Sequence, residues 1–357
     1  MKVNNGISSK ILKRAFIFLS VLFTCQVANA SDTEPIKLLF IGNSYTQMNE
    51  MPSLLQKMVS RSGKNSIIER STESGASFKD HSERADMYDA IKSRKWDYII
   101  LQGYSRELSY TPGYIDTETV PYLNKIMDSI HASNACTTVL FFMTWGYENG
   151  FLDREEVNTY EKMADSIKRG YRYVGSLYNA PVVPVGMVWK SAKQKKGVGL
   201  YASDGAHPNI KGSYLAACTF YHVLFNELPQ YTLTTSLSSG LALTIQEEVN
   251  RFMTENKMRY KWNENTFSLV PFTTAEGEHT LTFSSDFPLA TTIKWSFGDG
   301  SYSEALSGRH VFKKPGTYKV TIEAQERCGL KIQQKIITFE KFKRRRFKCL
   351  FRRNKRL

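Results

Sequence analysis

Outside its first thirty residues, the 357-residue chain has no apolar run approaching the roughly 20 residues that a bilayer span needs. Signatures of bound groups are missing as well. There is no G-x-x-x-x-G-K phosphate loop, no H-E-x-x-H, no paired-cysteine knuckle, no C-x-x-C and no carboxylate cluster. The expectation is an absence of cofactor and of metal. Acidic residues are missing from both ends: residues 1–30 carry four basic side chains and residues 341–357 carry ten, with no acid in either. Setting those aside leaves 34 basic against 34 acidic residues, so the formal charge of +14 belongs to the ends. A neutral body excludes a basic groove-binding domain for nucleic acid. Cysteine is scarce. Beyond Cys25 there are Cys136, Cys218, Cys328 and Cys349, and buried free thiols are the expected state, although export permits disulfides. The remaining composition, 41% hydrophobic and 23% charged, is that of folded material, with length for about two domains.

The leading segment has the order of a secretory signal peptide. Lys2, Lys10, Lys13 and Arg14 precede an apolar run from Ala15 to Phe23, and Ala28-Asn29-Ala30 supplies a small-residue cleavage pattern. Residues 1–30 are therefore expected to direct export to the periplasm, the cell surface or the medium. An uncleaved anchor and a lipoprotein leader at Cys25 are the other readings. At the opposite end, residues 341–357 interleave ten positive charges with Phe342, Phe347, Leu350 and Phe351. A solubilising tail and attachment to an anionic envelope surface both suit this segment, the latter at about 1 kcal/mol per basic residue. Export argues against nucleic acid as the partner.

Between these ends the pattern divides. From Ile36 to about Leu228, apolar runs at Ile36–Ile41, Ser66–Glu69, Tyr98–Leu101, Thr138–Met143 and Pro181–Val185 alternate with amphipathic stretches. These stretches lie near Pro52–Arg61, Glu83–Ser93, Thr117–Ala132 and Arg154–Tyr173, with further helices expected at Asn209–Phe225 and Ile245–Lys257. Buried strands separated by helices predict a parallel sheet covered on both faces, with sites beyond the carboxyl ends of its strands. Residues 31–262 are assigned to this domain. Residues 263–340 change to short runs with alternating Val, Ile, Thr, Tyr and Phe, punctuated by Gly298-Asp299-Gly300 and Pro315-Gly316, which predicts an all-β immunoglobulin-like sandwich. Trp295-Ser296-Phe297-Gly298-Asp299-Gly300, then His310-Val311-Phe312 and Gly316-Thr317-Tyr318, resemble a PKD-type domain. Trp295 and Phe297 are expected in its core, and His310 is expected to pack near the hairpin.

Chemistry concentrates in two fragments. The first strand runs into Gly42-Asn43-Ser44-Tyr45-Thr46, a small-residue turn that sets Ser44 at the sheet edge. A nucleophile whose own amide holds an oxyanion suits that place. In Asp204-Gly205-Ala206-His207-Pro208-Asn209, a base and its orienting carboxylate share one short loop before a helix that Asn209 can cap. Together these fragments resemble the SGNH (GDSL-like) hydrolase family, over roughly residues 35–228. The resemblance implies a flavodoxin-like three-layer α/β/α fold, with Ser44 as nucleophile, His207 as general base and Asp204 as orienting acid. It also implies an oxyanion hole from the amides of Ser44 and Gly75. The family's G-x-N-D block is replaced here by Gln102-Gly103-Tyr104-Ser105. Gln102 is the expected side-chain donor, with structural packing as its alternative role and Tyr104 and Ser105 as alternative donors. Asn43, Tyr104 and Trp145 are the candidate substrate contacts, although Asn43 also suits a turn and Trp145 a core. His81 is expected as a cap or at the site rim.

The resemblance implies a serine esterase, and export beside a PKD-like module leans toward acetyl or other small acyl groups on carbohydrate as the expected substrate, with small lipid-like acyl esters as the alternative within the enzyme class. A catalytically weak or inactive glycan-binding protein of the cell surface, on the same fold, is the alternative that the altered third block raises. A tail-driven envelope attachment protein is a third.

Overall fold

The computed structural model describes residues 34–194, 198–229, 237–256, 266–274, 276–287, 290–326 and 328–340. The leader 1–30 and the tail 341–357 lie outside the described residues. Among the described residues, no helix is long and apolar enough to cross a membrane.

Five parallel strands build the first sheet: β1 (Ile36–Gly42), β2 (Ser66–Thr72), β3 (Tyr98–Leu101), β4 (Thr138–Phe142) and β5 (Val182–Val183). Their order is β2-β1-β3-β4-β5. Successive side chains in a strand point to opposite faces, and here both faces are apolar. Leu38, Phe40, Ile100, Leu140 and Phe142 enter one core, while Leu39, Ile41, Ile99, Leu101, Val139 and Phe141 enter the other. Helices seal both. The connecting segments form α1 (Ser44–Gln47), α2 (Met51–Arg61), α3 (Phe78–Ser82), α4 (Ala85–Lys92), α5 (Pro112–Glu118) and α6 (Val120–Ser133). They continue as α7 (Tyr160–Leu177), α8 (Val185–Lys193), α9 (Ile210–Phe225) and α10 (Ser239–Glu255). Residues of α2, α8, α9 and α10 share the first core, and those of α4, α6 and α7 the second. This is the expected three-layer α/β/α arrangement.

The Pro181–Val185 run departs from expectation. Pro184 has no N–H for a ladder, the strand stops at Val183, and Pro184 instead precedes α8. Gly186 then lets the helix approach the chain after β4: a Cβ there would lie 1.9 Å from the Thr144 carbonyl oxygen.

The second domain is antiparallel. Strands β6 (Thr266–Thr273), β7 (His279–Asp286) and β10 (Ser307–Phe312) form one sheet. Strands β8 (Ala290–Ser296), β9 (Tyr302–Ser303), β11 (Gly316–Glu326) and β12 (Gly329–Phe339) form the other. Trp295 and Phe297 lie in the core between them, with Leu281, Phe283, Val320 and Ile322. The ring of His310 stacks on Phe297 at 4.1 Å, and its Nε2 lies 2.8 Å from Asp299 Oδ2.

The cysteine expectation needs correction. Cys136, between α6 and β4, is bonded to Cys328, between β11 and β12. Only tertiary structure brings residues 192 positions apart within reach, and no sequence spacing signals it. Cys218 is a buried free thiol, and Cys349 lies outside the described residues.

Candidate active site

The strand order reverses direction between β1 and β3, so their outgoing loops diverge and leave a crevice at their carboxyl ends. Ser44 sits there as the first residue of α1, preceded by Asn43 in extended conformation. The Asn43 side chain caps the helix by accepting from the Tyr45 amide at 3.0 Å. As a first-turn residue, Ser44 has an amide with no partner inside its helix.

The Asp204–His207 loop enters from the far end of the domain. Asn209 caps α9 through the amides of Lys211 and Gly212, and its Nδ2 donates to the carbonyls of Gly199 and Tyr201. The amides of Ala206 and His207 both donate to Asp204 Oδ1 at 2.9 Å. His207 Nδ1 then lies 2.5 Å from Asp204 Oδ2, and His207 Nε2 lies 2.9 Å from Ser44 Oγ. Partial burial acts upward on the Asp204 carboxyl, but the Ala206 amide and the His207 ring and amide outweigh it and hold it at about 2. Asp204 is thus a carboxylate at any ordinary pH. The structure brings the three residues into one chain of hydrogen bonds.

Ser44 and His207 line a cleft of about 430 Å³ with Asn43, Tyr45, Ser74, Gly75, Tyr104, Ser105, Tyr147 and Ala206. Gly75 is exposed and has φ +75°, a left-handed conformation in which a Cβ is strained. Tyr104 is part of the cleft wall, and its hydroxyl accepts from Arg106 at 2.7 Å.

Two expected contacts, Gln102 and Trp145, lie outside the cleft, and a third, Asn43, borders it with its side chain turned inward. Gln102 is fully buried and does not line the cleft. Its Oε1 accepts from the Asn43 amide at 3.0 Å and the Thr46 hydroxyl at 2.9 Å, while its Nε2 donates to Asn43 Oδ1 and the Gly103 carbonyl. Both ends of the amide are consumed inside the turn, so Gln102 has the packing role and not the donor role. Asn43 borders the cleft, but its side chain is spent internally: Nδ2 donates to the carbonyls of Ala76 and Gly103 at 3.1 and 3.3 Å. It ties together the three loops that form the crevice. Trp145 is fully buried, stacked between Tyr45 at 4.7 Å and Trp189 at 4.0 Å. Its Nε1 donates to the Ala206 carbonyl at 3.0 Å, so it supports the histidine loop from below.

Two supports gave no sequence signal. Asn49, at φ +54°, donates to the Pro208 carbonyl and Ser213 Oγ at 3.0 and 2.9 Å, pinning α9 to the nucleophile turn. Glu107 is buried beneath the cleft, where its carboxyl accepts from the Phe78 and Tyr104 amides at 3.0 and 2.8 Å. Burial pushes this carboxyl up to about 8 against the pull of those amides. His81 is buried rather than at the rim; burial, then the Arg84 charge, lower it to about 4, so its ring is neutral. Among the described residues, no group of three or more His, Cys, Asp or Glu is placed to hold a metal.

Comparison with known proteins accords with this architecture. Residues 272–340 match the PKD domain family. A DUF4886 family protein from Bacteroides uniformis is similar in structure, with a TM-score of 0.55 at 20% identity over 62% of this chain and 95% of that one. An acetyl xylan esterase, AlAXEase, matches with a TM-score of 0.42 at 16% identity over 53% and 100%. The PKD1 domain of the Vibrio cholerae metalloprotease PrtV matches at 20% identity over 21% and 94%, with a TM-score of 0.18. No curated protein matches the chain. At these identities the likeness concerns the fold; the chemistry must be argued from the residues.

Proposed function

We propose that this chain is an exported serine ester hydrolase that removes acetyl or similarly small acyl groups from carbohydrate. The observation that carries the reading is the continuous relay from Ser44 Oγ through His207 to Asp204, at 2.9 and 2.5 Å, opening onto a cleft. Ser44 Oγ attacks the ester carbonyl carbon as its proton passes to His207 Nε2. The carbonyl oxygen becomes an oxyanion, met by the amides of Ser44 and Gly75. Collapse breaks the bond to the leaving alcohol, which takes the proton from His207. Water repeats the sequence on the acyl-enzyme and frees the acid and Ser44. Asp204, ionised throughout, keeps the imidazole in the tautomer that accepts at Nε2.

The cleft is near the small end of ligand pockets, which span about 300–1,000 Å³, and Tyr45, Tyr104 and Tyr147 give its walls aromatic rings with polar tips. A short acyl group on a polar alcohol suits that lining better than a long chain does. The leader at 1–30 supports export, and the Cys136–Cys328 bond fits an oxidising compartment. The basic tail at 341–357 gives the chain a means of holding to an anionic envelope surface.

The test is hydrolysis of p-nitrophenyl acetate by wild type, Ser44→Ala and His207→Ala, with fluorophosphonate labelling of Ser44. Turnover lost in both variants and label confined to Ser44 are expected. Turnover that survives in both removes the triad. A folded wild type that neither turns over nor labels favours the glycan-binding alternative, for which the inward-turned Gln102 is the specific motive.

A further inference from the structure

A tetrahedral oxyanion is best held by donors fixed before the reaction begins, and Gln102 and Asn43 have no donor left for the cleft. We propose that the Ser105 hydroxyl, paired with Tyr147, is the side-chain donor of the oxyanion hole. The proposal rests on the ester-hydrolase reading above.

Three observations converge on this pair. Ser105 lies four residues beyond the end of β3, the neighbour of β1, so it shares the crevice with Ser44. Its loop is fixed: Glu107 Oε2 accepts from the Tyr104 amide at 2.8 Å, the Glu107 amide donates to the Tyr104 carbonyl at 2.9 Å, and Ser105 is only 5% exposed. Finally, Ser105 Oγ lies 2.7 Å from the Tyr147 hydroxyl, which comes from the loop after β4. Two hydroxyls in one hydrogen bond have two protons and use only one. Either hydroxyl can donate in that bond; with Tyr147 donating to Ser105, the Ser105 proton is left for a second acceptor in the cleft, where the Tyr45 hydroxyl also lies beside it, and is polarised by its neighbour. Burial pushes the Tyr147 phenol up, which keeps it protonated and able to donate.

The other cleft hydroxyls are less suited. Ser74 is exposed on a loop, and the Tyr104 hydroxyl is engaged by the Arg106 guanidinium, which itself packs 3.8 Å from the Phe151 ring centroid. The Tyr45 ring is locked between Trp145 and the edge of His207.

Steady-state hydrolysis of p-nitrophenyl acetate by the full chain tests the proposal, with Ser105→Ala, Ser105→Thr and Tyr147→Phe beside wild type. A donor that acts only in the transition state lowers kcat without raising KM. Ser105→Ala is expected to lower kcat by about 10²–10³ at nearly unchanged KM. Tyr147→Phe is expected to have a smaller effect, because it removes only the polarising partner, and Ser105→Thr to recover most of the loss. A trifluoromethyl ketone, which forms a tetrahedral adduct on Ser44, should bind Ser105→Ala more weakly by a similar factor.

A Ser105→Ala enzyme within about threefold of wild type would overturn the assignment while leaving the hydrolase intact. Equal losses in Ser105→Ala and Ser105→Thr, with affinity for the ketone unchanged, would overturn it by showing a purely structural role. A wild type that neither turns over nor accepts the fluorophosphonate overturns the hydrolase reading first and this proposal with it, so the two failures are distinguishable.

Discussion

Replacing Trp145 by Phe separates a wall of the cleft from a pillar beneath it. The indole has no exposed surface, and its one polar atom donates to the Ala206 carbonyl, beside His207. Phe keeps a ring between Tyr45 and Trp189 but removes that donor. A net hydrogen bond is about 1 kcal/mol. Weakened stacking on two aromatic neighbours, each pair about 0.5–1.5 kcal/mol, brings the cost to roughly 2–3 kcal/mol. A domain with ordinary stability of about 5–15 kcal/mol stays folded after that loss, so kinetics can be read. The amides of Ala206 and His207 both hold Asp204, and a shift of this loop moves the Nε2 that faces Ser44. Misplacement by about 1 Å can cost about 10²-fold. Trp145→Phe is therefore expected to lower kcat on p-nitrophenyl acetate by about 10–100-fold, with KM nearly constant and the thermal midpoint lowered by several degrees. A raised KM with kcat intact would refute the reasoning and restore Trp145 as a substrate contact. Unchanged kcat and stability would refute it too, by showing that the Ala206 hydrogen bond positions nothing.

Glu107→Gln isolates a buried ionisation. Because the folded-state carboxyl is raised to about 8, its contribution is fully present below its ordinary value near 4.5 and is lost as pH rises through about 8. At about 1.4 kcal/mol per unit, wild-type stability should decline by up to roughly 4 kcal/mol from pH 5 to 8.5, and the variant should lose that slope. Urea midpoints across that range check it, and parallel slopes in the two proteins would count against a buried, raised carboxyl. The Cys136–Cys328 bond closes a loop of 192 residues, for which chain entropy gives about 5 kcal/mol. Reduction, or Cys328→Ser, should lower the thermal midpoint by on the order of 5–10 °C, and an unchanged melt would show that the crosslink constrains nothing.

The fold was legible where side-chain periodicity is strong. Runs such as Leu38-Leu39-Phe40-Ile41 are apolar at every position because each alternate side chain enters a different core. A continuous apolar run bounded by turns therefore announces a strand covered on both faces. The Pro181–Val185 run is equally apolar, yet only Val182 and Val183 pair. Its neighbour α8 exists because Gly186 fits against the Thr144 carbonyl, a contact between distant segments with no local trace. The disulfide was hidden for the same reason. Glu107 was hidden because a charged residue in a loop ordinarily reads as solvated, and only the loops around it reveal that two backbone amides hold it indoors.

Within the site, the Ser44 and Asp204–His207 fragments were legible because each is local: a turn after a strand, and a loop before a capped helix. The third block was not, and the reason lies in Gly42. A Cβ there would come within 2.7 Å of Gln102 Oε1 and 2.6 Å of Thr46 Oγ1, so the bare glycine lets Gln102 reach under the nucleophile turn. Gln102 then meets the Asn43 amide and the Asn43 side chain at once. This exchange joins residues 59 positions apart, and neither residue alone announces it. An asparagine at 102, one carbon shorter, could not span both contacts. Restoring the family-like residue at that position would loosen the turn that carries Ser44 before it supplied any donor. On the hydrolase reading proposed above, a chain committed to Gln102 as a brace draws its third oxyanion donor from another residue of the crevice, the place proposed for Ser105.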